Sequence, residues 1–127
     1  MASTATNSSG HLPFVFEEGN KDPFSPTIIW LHGGTESHHE YTKVLSYLPK
    51  DAYHHILLDL PGHGVLSSSD FSMEIAMNNL ELAIQKHAHS KRKCYIVGFS
   101  LGGVTALCFF TKSTKVCGGE GVKDICV

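Results

Sequence analysis

An open, mostly parallel α/β sheet with flanking helices is the fold class this sequence predicts, and three observations predict it. Short apolar runs alternate with helix-period stretches in the order strand, helix, strand, helix, strand, helix. The runs, Ile28–Leu31, His55–Leu60 and Cys94–Val97, are near-continuous rather than alternating, as in strands covered on both faces. Each run leads into a glycine-bearing loop, which places three loops at the carboxyl ends of the strands, where open α/β sheets build their sites.

The elements follow in order. Residues 1–25 read as a flexible N-terminal segment with a candidate outer strand at Pro13–Glu17. Residues 26–112 carry the regular pattern, and residues 113–127 read as an irregular tail. After the first strand, Ser37 and Glu40 make an S-x-x-E capping box, and Tyr41, Val44, Leu45 and Leu48 form an amphipathic stripe that Pro49 stops. After the second, Ser72 is the expected N-cap of a helix whose apolar face is Met73, Ala76, Met77, Leu80, Ala83 and Ile84. Leu101 to Lys112 reads as the third helix.

Composition narrows the classes. The chain has 127 residues, 42% hydrophobic and 17% charged, which suits one globular domain at most. Its formal charge is −2, and the ten Lys and Arg residues are scattered, so neither a nucleic-acid nor an anionic-membrane partner is expected. No apolar run approaches a membrane span, and the N-terminus lacks the basic and apolar regions of a signal peptide. The four cysteines show neither CxxC pairing nor zinc-ligand spacing, which favours a reducing, cytoplasmic setting. The pairs His38-His39, His54-His55 and His87/His89 lack a clustered carboxylate or an H-E-x-x-H spacing, so no metal is expected. No G-x-G-x-x-G or P-loop follows the first strand, and no cofactor is expected.

The chemistry-bearing motif is Gly98-Phe99-Ser100-Leu101-Gly102, a G-x-S-x-G set between a buried strand and a helix. Such a turn forces the serine into a strained backbone and lifts its oxygen above the sheet, with room only for glycine at 98 and 102; Gly103 completes the turn. The amide of Leu101 then faces a developing oxyanion, helped by the helix dipole. The bland alternative is a tight turn in which Ser100 merely caps the helix. The loop His32-Gly33-Gly34-Thr35 brings a second amide toward the same oxyanion, with Gly34 as the expected donor; the alternative is an ordinary glycine-rich connection. In Asp59-Leu60-Pro61-Gly62-His63-Gly64 the expected role is structural, with Asp59 binding loop amides. His32 and His63 are candidates for the pocket mouth.

At these three motifs the sequence resembles the α/β-hydrolase family, from about Thr27 to Phe110, and is most similar to its small-substrate esterase, lipase and lyase members. The resemblance implies a serine hydrolase that cleaves a small ester, thioester or amide through an acyl-enzyme at Ser100. Serine rather than aspartate at the elbow argues against the epoxide-hydrolase and dehalogenase branches.

The family's acid and histidine follow the nucleophile in chain order. All nine histidines here precede Ser100, and only Glu120 and Asp124 follow it as acids. The expectation is therefore a partial α/β-hydrolase, truncated with its C-terminal strands missing, and inactive or weakly active in this form. One apolar sheet edge is expected to stand open, inviting self-association. The alternatives are a non-catalytic fragment or interaction module and, less favoured, a carbon–carbon lyase of the same fold.

Overall fold

A computed structural model describes residues 10–88, 93–113 and 124–126 of the chain. The lead-in through residue 9, His89, and the Val116–Gly121 stretch of the expected tail lie outside the described residues.

Five strands form one sheet in the order β1-β3-β2-β4-β5: β1 (Val15–Gly19), β2 (Thr27–Leu31), β3 (His54–Leu58), β4 (Cys94–Gly98) and β5 (Asp124–Cys126). β1 runs antiparallel to β3, and every other pairing is parallel. The register fixes where chemistry can occur. Leu31 lies level with Leu58 on one side and with Gly98 on the other, so the three glycine-bearing loops leave the sheet along one edge.

Alternation across the pleat splits the core into two layers. Ile29, Leu31, Ile56, Leu58 and Ile96 face α2 (Met73–His87) and α3 (Leu101–Ser113), where Leu80, Ala83, Ala106 and Phe109 complete the larger cluster. Trp30 and Leu57 face the other way, with Tyr41, beside the short helix α1 (Thr42–Ser46). Ser72 caps α2 as expected, its hydroxyl accepting the Ile75 amide at 3.3 Å.

Four expectations are corrected. The helix expected from Tyr41 to Leu48 is a 3-10 turn, His38–Tyr41, followed by the five-residue α1. The capping box does not form: Ser37 Oγ accepts from His39 N, while Glu40 turns its carboxylate back to Gly33. Residues 113–127 are not uniformly irregular, since Ser113 ends α3 and Asp124–Cys126 pair with β4 as β5. β4 therefore has neighbours on both sides, and the edge expected to stand open is covered. Three residues are too few for a hydrophobic period to reveal; the neighbouring strand supplies the register.

On the buried face of α2, Asn79 occupies a position that the apolar stripe skipped. It is 1% exposed, and neither atom of its amide has a hydrogen-bond partner among the described residues.

Candidate active site

The site begins where β4 ends. Phe99 continues the ladder by donating its amide to Leu31 O at 3.1 Å, and the chain then turns abruptly into α3. Ser100, at the turn, is solvent-exposed with φ 53°, a left-handed conformation that costs a non-glycine residue about 1–2 kcal/mol. The helix closes immediately, with Gly102 N on Phe99 O at 2.9 Å and Val104 N on Ser100 O at 3.0 Å.

Packing explains the flanking glycines. A side chain on Gly98 would place its Cβ 2.5 Å from Gly102 O and 2.7 Å from the amide nitrogen of buried Gly103. One on Gly102 would collide with the Leu31 carbonyl at the end of β2. The first turn of α3 thus lies hard against the strand that carries the second motif. Leu101, half-buried, opens that helix, and its amide is one of the four with no intrahelical acceptor.

In the loop after β2 the two glycines differ. Gly33 is buried beneath Phe99, whose ring carbon would sit 2.9 Å from an added Cβ. Its amide is taken by Glu40 Oε2 at 3.0 Å. Gly34 is exposed, with nothing within 4 Å of a would-be Cβ, so packing demands glycine at 33 and not at 34. With the Gly33 amide committed, the Gly34 amide is the next one the loop can offer.

His32 is not at a pocket mouth: it is 0% exposed. Its Nδ1 donates to Gly33 O at 2.7 Å, and its Nε2 accepts the Leu60 amide at 3.0 Å. Those bonds fix one neutral tautomer and tie the β2 loop to the β3 loop. Burial pulls its pKa below the ordinary value, aided by nearby His63 and opposed by the bond to Gly33 and the charges of Asp59 and Glu40. His63 is half-buried, donates Nδ1–H to Pro61 O at 2.9 Å, and lies 5.1 Å from the His32 ring.

Asp59 takes the structural part that its motif suggests. Fully buried, it accepts the His38 amide at 2.7 Å, the His38 ring at 2.9 Å and the Val65 amide at 3.0 Å. Burial alone would raise its carboxyl, but those donors outweigh it and hold the pKa below the usual carboxylate range. His38 stacks on Phe16 of β1, the outermost strand next to β3.

Three further histidines are engaged in the scaffold. His55 Nδ1 accepts from Trp30 Nε1 at 3.1 Å, and His54 and His87 both approach Glu17 Oε1, at 3.3 and 2.8 Å. Among the described residues no histidine is hydrogen-bonded to Ser100, and no group of three or more histidines, cysteines or carboxylates is arranged to hold a metal ion. No helix among them is long and apolar enough to cross a membrane.

Sequence reasoning missed Glu40 and Tyr41. Glu40 had a signal, its three-residue spacing from Ser37, but one that pointed to the wrong partner. The Tyr41 hydroxyl donates to Leu31 O at 2.8 Å, beneath the elbow, and burial with the Glu40 charge pushes its pKa up to about 12 against the opposing Phe99 amide.

Comparison with known proteins agrees with this architecture. Over 91 residues the chain is 34% identical to 2-succinyl-6-hydroxy-2,4-cyclohexadiene-1-carboxylate synthase of Klebsiella pneumoniae, covering 71% of this chain and 34% of that protein. It is 31% identical over 86 residues to an esterase of Mycobacterium tuberculosis, covering 65% of this chain and 27% of that one. The solved structure of a marine microorganism esterase superposes with a TM-score of 0.69 at 26% identity, covering 88% of this chain and 39% of that one. The chain thus spans about a third of the length of the curated relatives it matches. A family model of the alpha/beta hydrolase fold matches residues 26–118, the segment that holds β2, β3, β4, the glycine loop and the elbow; the chain belongs to the α/β-hydrolase family.

Proposed function

We propose that this chain carries the nucleophile and oxyanion donors of a serine hydrolase acting on a small ester, thioester or amide. The observation that carries the reading is Ser100 itself, held exposed at φ 53° between β4 and α3. Ser100 Oγ attacks the acyl carbon, and the oxygen that gains charge lies between the amides of Gly34 and Leu101. The N-terminus of α3 adds favourable dipole there. Collapse of the tetrahedral adduct expels the leaving group and leaves an acyl-Ser100 ester, which water hydrolyses. Gly98, Gly102 and Gly103 serve the turn rather than the chemistry.

A serine hydroxyl is a weak nucleophile until a base removes its proton. Every histidine of the chain precedes the elbow, and none described touches Ser100, so this chain alone reacts slowly. Triad-deficient sites retain about 10³–10⁴-fold catalysis over water from binding and oxyanion stabilisation. The test is labelling by a fluorophosphonate probe. Slow labelling that added imidazole accelerates, and that Ser100→Ala abolishes, supports the proposal; labelling that persists in Ser100→Ala removes it.

Synthases stand beside an esterase among the relatives, and they favour a second reading in which the same elbow serves a non-hydrolytic reaction rather than acyl transfer to water. That reading predicts no acyl-Ser100 from a p-nitrophenyl ester, whereas the first predicts a mass increase on the peptide containing Ser100.

A further inference from the structure

The glycine loop is held from both of its peptide planes. Gly33 O accepts from His32 Nδ1 at 2.7 Å and from the Glu36 amide at 3.3 Å. The peptide joining Gly33 to Gly34 is planar and trans, so fixing its carbonyl fixes its N–H in the opposite direction. On the preceding peptide, Gly33 N–H donates to Glu40 Oε2 at 3.0 Å. Both rotations of Gly33, the residue least able to restrict its own backbone, are thereby set by side chains of other residues.

The carboxylate that does this comes from the same 3-10 turn as Tyr41. Tyr41 Oη donates to Leu31 O, the oxygen that also accepts the Phe99 amide and against which Gly102 is packed. Two consecutive side chains therefore reach back from one turn. The first grips the glycine loop and the second grips the strand end on which the elbow rests.

We infer that Glu40 is a positioning residue that presets the Gly34 amide as an oxyanion donor by anchoring the Gly33 peptide, while Tyr41 keeps the elbow in register with it. The inference rests on the proposed hydrolase reading, because it gives the Gly34 amide its task. Preset donors matter because an oxyanion hole works by costing no reorganisation when charge develops. Without Glu40 only the bonds at Gly33 O hold the loop, and the Gly34 N–H keeps less tightly to the position that the oxyanion takes.

The test compares Glu40→Ala, Glu40→Asp and Glu40→Gln in the full chain with two readouts: amide exchange at Gly33 by NMR, and the fluorophosphonate labelling rate of Ser100 per folded molecule. Glutamine keeps an acceptor at the same reach, whereas aspartate is too short and alanine has none. The expected result is Gly33 exchange about 10-fold faster and Ser100 labelling about 10-fold slower in the alanine and aspartate variants, a fraction of the 10²–10³-fold seen when a donor is removed outright. The glutamine variant restores both to within about threefold, and Ile29 and Ile96 amides exchange as in the wild type throughout. If Glu40→Ala does not fold, Glu40→Asp decides. Unchanged Gly33 exchange in that variant overturns the anchor, and faster exchange with unchanged labelling overturns the positioning role. A wild-type chain whose Ser100 never labels overturns the hydrolase reading and the donor's task with it; the exchange readout still decides separately whether Glu40 holds the loop.

Discussion

Gly102 lies against the carbonyl oxygen of Leu31 so closely that any side chain at 102 would occupy the same space. The first turn of α3 and the end of β2 are thus in backbone-to-backbone contact, and the glycine loop begins at the next residue of that strand. Because the obstruction is backbone rather than a movable side chain, Gly102→Ala is expected to destabilise the chain by about 2–3 kcal/mol, the upper part of the overpacking range. Urea unfolding measures it. An alanine variant as stable as the wild type would mean that α3 does not approach β2 as described.

Ser100 contributes its own strain. At φ 53° a non-glycine residue gives up about 1–2 kcal/mol, and glycine recovers most of it at the expense of a more flexible unfolded chain. Ser100→Gly is therefore expected to be at least as stable as the wild type and about 1 kcal/mol more stable than Ser100→Ala. An ordinary helical φ at this position would reverse the order of the two variants.

Asn79 offers a gain rather than a loss. Its amide is buried in the α2 face with no partner among the described residues, a situation that costs about 1–3 kcal/mol of desolvation. Asn79→Leu, which removes the polar atoms and fills comparable volume, is expected to raise the urea midpoint by an amount corresponding to about 1–2 kcal/mol. A fall in stability would show that the amide is satisfied after all.

The buried neutral histidines set a pH dependence. Burial, the largest influence, lowers the pKa of both His32 and His55 below the ordinary 6.5, so between their folded values and 6.5 the unfolded chain binds more protons than the folded one. Their contribution to stability is fully present above 6.5 and is lost as the pH falls toward the folded values. Unfolding midpoints are expected to drop between about pH 7 and about pH 5, and His32→Gln should flatten the drop, leaving the share that His55 supplies. A midpoint that rises over that interval would contradict the tautomer assigned to His32.

Much of this was legible in the sequence because it follows from short-range rules. The alternation of strands and helices, the Ser72 cap and the elbow can be read from apolar runs, a capping hydroxyl and a G-x-S-x-G at a strand–helix junction. What was not legible depends on distant backbone. Glu40 has the spacing of a capping residue, but β2 brings the Gly33 amide closer to its carboxylate than the Ser37 amide that such a box requires. His32 looks like a pocket residue until the β3 loop closes over it and supplies the Leu60 amide. β5 carries too few residues to declare itself, and Asn79 sits on a core face that its polarity disguises. Within the proposed oxyanion pair, Gly34 is the donor already expected from the loop motif, and the Glu40 bond that occupies the Gly33 amide supports that choice.

The most direct measurement is a crystal structure of the chain after reaction with a small phosphonate ester in the presence of imidazole. The expected result is phosphorus bonded to Ser100 Oγ, with the phosphoryl oxygen about 3 Å from the amide nitrogens of both Gly34 and Leu101. A phosphonate attached elsewhere, or an oxygen turned away from those two amides, would contradict it.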